Sequence, residues 1–233
     1  CPGNPGAWKL HAVYHKEVKQ QRKMTEDGGV AQQRQREAAE EAARRAAQTG
    51  DEYMELLADG LRYESKQDWR KAGKVYRKAI ALRSNEPEAY YNLGAVLANS
   101  EHNVEAAQRF LEARTRFPVG SEHWALATAS AFDMLRLTEC DEVAKPEWWN
   151  DERLKALSAR VVREAPNHAP ANIMRADVLS GQGGAWKAGP RSAAELKEAA
   201  AYWDRAAAMS SAPAAKADYA SLAVACRSRV EAM

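Results

Sequence analysis

The sequence predicts an all-α protein, and three observations on its 233 residues support that fold class. Alanine is abundant and clusters of Val, Ile and Thr are few, which favours helix over strand along the chain. Glycine and proline are sparse in the middle of the chain. A pattern of small and aromatic residues also recurs every 34 positions, a period typical of stacked helical hairpins.

The composition also gives no indication of a nucleic-acid partner or of a transmembrane segment. The formal net charge is only +2, so no global field indicates a nucleic-acid partner, and the mild basic excess lies in the first fifty residues. The longest apolar-rich run, 124–135, is shorter than the ~18 to 20 residues that cross a bilayer. We therefore expect no transmembrane segment and at most a peripheral membrane association through partners.

The cysteines indicate a reducing environment. Cys1, Cys140 and Cys226 are an odd number at unrelated spacings, which argues against a disulfide framework and a zinc knuckle. A cytoplasmic or organellar interior fits this pattern best.

Residues 1–50 are predicted to form an N-terminal arm that starts extended and then becomes helical. Residues 7–24 and 30–48 have helical composition, and the segment TEDGG at 25–29 is expected to break the helix between them. The second of these helices is nearly all polar and can bury little of itself. We therefore expect a partner to order the arm.

The segment 87–118 predicts a helical hairpin. Apolar residues at helical spacing form two facing stripes, separated by a short turn at 101–103. Gly94 and Ala106 are small, which allows the two helices to approach closely. The stripes consist of Tyr90, Leu93 and Leu97, followed by Ala106, Phe110 and Ala113.

The same pattern is present one period earlier, so a preceding hairpin is expected. Moving back 34 positions leads from Gly94 to Gly60 and from Phe110 to Tyr76. Asp59 is the one misfit, because an apolar residue is usual there. The five coinciding positions are Gly60, Tyr63, Ala72, Tyr76 and Ala79.

A third hairpin begins one period after the second and is then interrupted. Trp124 follows Tyr90 by one period, but an insertion over 137–150 delays the second helix, which is predicted to end at Pro166. The insertion carries Trp148 and Trp149, whose adjacent indoles point in different directions. One of them could enter the core while the other anchors a partner.

A fourth hairpin and a final helix complete the chain. The first helix ends near residue 181 and a glycine-rich segment, GQGGAWKAGP, follows it. This segment lacks the order of a phosphate-binding loop and is predicted to be a flexible insertion. Ser192 and Glu195 form a capping box at the start of the next helix. Residues 213–233 are predicted to cap the stack.

These residues resemble the tetratricopeptide repeat (TPR) family, strongly over 51–136 and more loosely over 150–233. Leu93, Gly94 and Pro118 stand at the family's own spacing, together with the alanines and aromatics already described. The resemblance implies an α-α superhelix, a solenoid of TPR-like helical hairpins. The C-terminal half is similar to a repeat variant of photosynthetic protists, which implies a plastid. Three parts are expected: 1–50, 51–136 and 137–233.

The resemblance also implies a partner-binding groove lined by the first helix of each hairpin. In chaperone-binding members, Lys, Arg and Asn there clamp a terminal carboxylate, whereas this sequence keeps only Asn92 and has Leu57 and Leu61 at two such positions. An apolar groove is therefore expected, although Leu57 and Tyr91 could equally pack against neighbouring helices. The implied lining residues are Met54, Leu57, Leu61, Glu88, Tyr91, Asn92, Ala95, Asn99, Glu122, Ala125, Ala129 and Phe132.

Other candidate sites have simpler interpretations. His11 and His15 have a spacing that suits one metal, but no third and fourth ligand can be identified, so a surface or interface pair is expected. Cys140 has acidic neighbours and is predicted to be an unreactive thiol. Asp151 and Glu152 suit the first turn of a helix. No catalytic residue, metal site or cofactor is predicted.

The function expected from these observations is that of a non-catalytic scaffold or adaptor for other proteins. An accessory or assembly subunit of a large complex, including one of a photosynthetic membrane, is the alternative in the same class. The regulatory module of an enzyme is the alternative of another class. No nucleophile, base and orienting group occur together to support catalysis.

Overall fold

The computed structural model of the protein describes residues 26–181 and 186–233. Every regular element in these ranges is a helix, which confirms the all-α fold class. The described residues divide into two compact units, Glu26–Leu135 and Arg136–Met233. Within each unit, each α-helix packs against the next one along the chain, as in a solenoid of helical hairpins.

After the long first helix, the helices of the first unit recur at about the 34-residue period. They are α1 (Glu26–Thr49), α2 (Glu52–Ser65), α3 (Trp69–Leu82), α4 (Pro87–Asn99), α5 (Asn103–Arg116) and α6 (Glu122–Leu135). The second unit contains a short 3₁₀ helix (Thr138–Cys140), α7 (Asp151–Glu164), α8 (Ala169–Ser180), α9 (Ala193–Met209) and α10 (Pro213–Glu231).

Two glycines allow the hairpins of the first unit to close. A Cβ at Gly60 would lie 2.3 Å from the ring of Tyr76, and one at Gly94 would lie 2.9 Å from the ring of Phe110. Neither position accepts a side chain without moving the facing ring. The two pairs lie 34 residues apart because the same contact between a glycine and an aromatic ring is made in each hairpin.

Helix α1 differs from its predicted form at its start. It begins at Glu26, so the predicted break at 25–29 is wrong for Glu26 to Gly29. The first turn of a helix tolerates glycine because its amides have no intrahelical partner to lose. Ala39 and Ala46 are buried, and α1 packs against α2. The predicted helix over 7–24 lies outside the described residues.

The core of the second unit is built around Trp203. This indole is flanked along α9 by the buried Ala199 and Ala206, and it stacks on the ring of Tyr219 with a centroid separation of 5.6 Å. Helix α9 begins with the predicted capping box, in which Glu195 N donates to Ser192 Oγ at 3.2 Å. Helix α10 packs against α9 and follows it as the last helix of the unit.

Candidate functional site

Helix α2 presents an apolar face that is only partly covered. Met54 is 43% exposed and Leu61 is 37% exposed, and both lie on the same side of the helix as the half-buried Leu57. Leu57 packs against the cluster that contains Tyr53 and Ala79. The structure thus gives Leu57 a packing role and leaves Met54 and Leu61 open to solvent.

Helix α4 combines exposed polar residues with a half-buried tyrosine. The ring of Tyr91 lies 5.5 Å from that of Phe110, its hydroxyl interacts with Ser130 of α6, and burial raises the pKa of this hydroxyl. Glu88 and Asn99 are exposed. Tyr91 therefore packs between helices, while Glu88 and Asn99 can reach a partner.

The other α4 candidates, Asn92 and Ala95, are half-buried. Asn99 Nδ2 donates a hydrogen bond to Ala95 O at 3.0 Å, so part of its amide is already used within the helix. Asn99 is exposed, so the rest of its amide can reach a partner.

The α6 candidates are mostly inaccessible. Glu122 is exposed, but Ala125, Ala129 and Phe132 are buried, with Phe132 only 1% exposed. A partner cannot contact these three side chains without a rearrangement. The surface that is available on the first helices consists chiefly of Met54, Leu61 and the exposed polar residues of α4.

A half-buried carboxyl, that of Glu64, lies between α2 and α3. Tyr76, which has no exposed surface, donates a hydrogen bond from its hydroxyl to Glu64 Oε1 at 2.5 Å. Burial raises the pKa of Glu64 to about 7 from its ordinary value of 4.5, although the hydrogen bond from Tyr76 opposes this shift. The sequence pattern did not indicate this site, because Glu64 stands outside the repeated positions.

This carboxyl should make stability depend on pH near neutrality. The folded state binds the Glu64 proton more tightly than the unfolded chain, so the stabilisation is fully present below about pH 4.5 and is lost as pH rises through about 7. We expect Glu64→Gln, whose amide oxygen still accepts from Tyr76, to stabilise the protein by roughly 1 to 2 kcal/mol at pH 8. Near pH 5 the two proteins should melt alike.

Thermal melts of both proteins between pH 5 and pH 8 measure this difference. Glu55→Gln, on the exposed side of the same helix, serves as the matched control. A Glu64→Gln advantage that is the same at all pH values would contradict the assignment.

The two insertions of the second unit meet at a tryptophan cluster. Trp149 lies 5.6 Å from Trp148 and 6.1 Å from Trp186, and the ammonium of Lys145 lies 5.5 Å from the centre of the Trp149 ring. Trp148 and Trp149 are both half-buried, whereas Trp186 is buried. Each of the adjacent indoles thus has one part in contact with the protein and another part exposed.

An ion pair lies beside this cluster and joins Asp151 and Arg191, the residues that directly follow the two insertions. Arg191, whose side chain is 1% exposed, donates from Nη1 to Asp151 Oδ2 at 2.7 Å and from Nη2 to Asp151 Oδ1 at 2.5 Å. Trp186 Nε1 donates to Asp151 Oδ1 at 3.1 Å, and Gly189 N donates to Oδ2 at 3.2 Å. These donors, led by Arg191, hold the pKa of the Asp151 carboxyl well below its usual range.

This arrangement corrects two predictions. Asp151 was expected only to suit the first turn of a helix, but it also binds Arg191, forty positions later. The glycine-rich segment was expected to be flexible, but its described part, 186–190, is held by Asp151 and Trp149. The isolated Arg191 after the glycines was the one available sequence signal, because a buried cation needs a counter-ion.

Neither of the two described thiols is placed for reaction. Cys140 and Cys226 are buried, and this burial raises the pKa of both thiols, which supports the prediction of an unreactive Cys140. Among residues 26–181 and 186–233, no cluster of His, Cys, Asp and Glu has the form of a metal site. Cys1, His11 and His15 lie outside the described residues.

None of the described helices combines the length and the apolar character that spanning a bilayer requires.

Comparison with known proteins identifies one segment. Residues 60–100, which run from α2 through α3 to the end of α4, match the family model of a TPR repeat. No curated protein matches the chain. The similarity of the C-terminal half to a repeat variant of photosynthetic protists, and with it the plastid, stays a prediction.

Proposed function

Since this chain is a protein with a tetratricopeptide repeat, we propose that it is a non-catalytic scaffold or adaptor that holds a segment of another protein. TPR repeats act as protein-binding modules, and the match over 60–100 runs from the second half of α2 to the end of α4. The binding surface in this proposal is the side of α2 and α4 that carries Met54, Leu61, Glu88 and Asn99. We call this surface the first-helix face.

The single observation that carries this assignment is the exposure of Met54 and Leu61. Two large apolar side chains on one side of a helix, seven positions apart, present the type of surface that takes the apolar face of a partner helix or extended segment. Lys and Arg are absent from the proposed lining positions, so recognition of a terminal carboxylate is not the chemistry that this face supports.

We further propose that the partner belongs to a multi-subunit assembly. Helix α1 supports this part of the proposal, because described polar side chains such as Arg34, Arg36 and Glu40 remain exposed along its length. A polar helix beside a repeat array offers a second surface that a neighbouring subunit could use.

Affinity capture from an extract of the producing cells tests the first-helix face. The wild-type full chain is the bait, and co-purifying proteins are identified by mass spectrometry. We expect Met54→Lys with Leu61→Lys to reduce recovery of the main partner at least tenfold, because each substitution places a charge in an apolar contact.

The matched control is Val119→Lys with Val224→Lys, which adds the same charge at valines that are 67% and 57% exposed. This control should leave recovery unchanged. Equal recovery with both double variants would refute the first-helix face as the binding surface.

A further inference from the structure

Helix α3 carries an unusual concentration of positive charge. Its fourteen residues include five cations and no acidic residue. All five are exposed, and their spacing places them on the side opposite the buried Ala72, Tyr76 and Ala79. The cations are Arg70, Lys71, Lys74, Arg77 and Lys78. We call this surface the basic face.

Neighbouring carboxylates neutralise only part of the basic face. Lys71 pairs with Asp68 at 2.8 Å, and Arg77 pairs with Glu105 at 3.0 Å. The other three cations make no ion pair with a carboxylate of the described residues. These three are Arg70, Lys74 and Lys78, and they follow one another at intervals of four along the helix.

This arrangement works against the stability of α3. Like charges four positions apart on a helix each destabilise it by about 0.2 to 0.5 kcal/mol. Arg70 and Lys71 also lie in the first turn, where the helix dipole disfavours cations. A helix that served only to close the hairpin would gain stability from acidic residues at these positions.

The next hairpin shows that the repeat does not require these cations. One period later, the positions of Arg70, Lys74 and Lys78 are taken by Val104, Gln108 and Glu112 in α5. Those of Lys71 and Arg77 are taken by Glu105 and Leu111. The five cations are therefore specific to α3, although both helices close the same kind of hairpin.

We infer that the basic face binds an acidic segment of a partner protein. From residue 70 to residue 78 the face is about 12 Å long, or about two helical turns, which matches a short run of Glu or Asp. Leu82, at the end of this face, is 46% exposed and adds an apolar contact. The face lies on the second helix of its hairpin and is separate from the first-helix face.

The observations favour a protein segment over a nucleic acid or a membrane. Neither aromatic residue of α3 lies within the basic face, because Tyr76 is buried on the opposite side of the helix and Trp69 is half-buried away from the cations, so the cations of α3 have no interleaved ring on which bases could stack. The apolar side of α3 is packed inside the hairpin, whereas a membrane-surface helix inserts that side into lipid.

Fluorescence anisotropy with the full chain tests the inference. The probe is a labelled helical peptide of about twelve residues with Glu at intervals of three and four and one terminal Leu. Its counterpart has Gln in place of Glu. We expect the Glu peptide alone to bind, with an affinity that falls as salt rises. Lys74→Glu with Lys78→Glu should weaken this binding at least tenfold.

The control is Lys197→Glu with Lys216→Glu, which makes the same change in net charge at two exposed lysines of the second unit. This control should change the affinity less than twofold, and the Lys74, Lys78 variant should melt no lower than the wild type. Equal weakening by both variants would show that only net charge matters and would overturn the proposal. Tighter binding of an oligothymidine or of phosphatidylserine vesicles than of the Glu peptide would also overturn it.

Discussion

Replacing Asp151 with alanine is expected to lower the free energy of unfolding by about 3 to 5 kcal/mol. Asp151 is the carboxylate that neutralises Arg191, whose side chain is almost fully buried. Without it, the guanidinium keeps only the carbonyls of Val178 and Gly189 as hydrogen-bond acceptors. A buried charge that loses its counter-ion is among the most destabilising changes a single substitution can make.

Urea denaturation of the full chain, followed by tryptophan fluorescence, measures this loss, because Trp148, Trp149 and Trp186 lie in the affected region. Glu152→Ala is the control, since Glu152 is the next residue of α7 and is exposed. Its loss should be below about 1 kcal/mol. Adding Arg191→Met to Asp151→Ala should restore part of the stability, and a double variant no more stable than Asp151→Ala alone would contradict the explanation.

Gly60→Ala is expected to destabilise the first unit by a net amount of about 2 kcal/mol. The new methyl group would lie 2.3 Å from two ring atoms of Tyr76, and this ring is held by its hydrogen bond to Glu64. Overpacking of this kind costs about 1 to 3 kcal/mol, and the higher helix propensity of alanine offsets part of it.

Gly73→Ala provides a control of the opposite sign. A Cβ at Gly73 would have Arg77 Nη1 at 3.3 Å and its next contacts at 3.7 Å, and the arginine can move. The substitution should therefore be neutral or stabilising by up to about 1 kcal/mol. Circular-dichroism melts compare the two variants, and similar losses in both would show that the Tyr76 contact is not the cause.

The hairpins could be predicted because their determinants are local and repeated. Gly60 and Gly94 each face an aromatic ring sixteen positions later, so the same pair occurs twice at a fixed spacing in the sequence. The capping box of Ser192 and Glu195 is also contained within four residues. The division into 1–50, 51–136 and 137–233, in contrast, stays a prediction.

The contacts that the sequence did not reveal join residues at irregular separations. Asp151 already had a sufficient local explanation at the start of a helix, so its own position did not indicate a need for a distant cation such as Arg191. Phe132 was placed in the groove by its position in the repeat, but its burial is decided by tertiary packing that no periodic pattern encodes. Glu64 shows the same limit, because its pKa is raised by burial and opposed by the hydrogen bond from Tyr76, and both effects depend on tertiary packing.

The junction between the two insertions limits how these segments can be exchanged. A graft of 137–150 into a regular repeat would carry Trp149 away from Trp186, and a graft that extended to Asp151 would arrive without Arg191. The reverse transplant would leave an arginine without its carboxylate. The two insertions thus form one structural unit, although they are separate in sequence. A change in the length or composition of one should be accompanied by a change in the other.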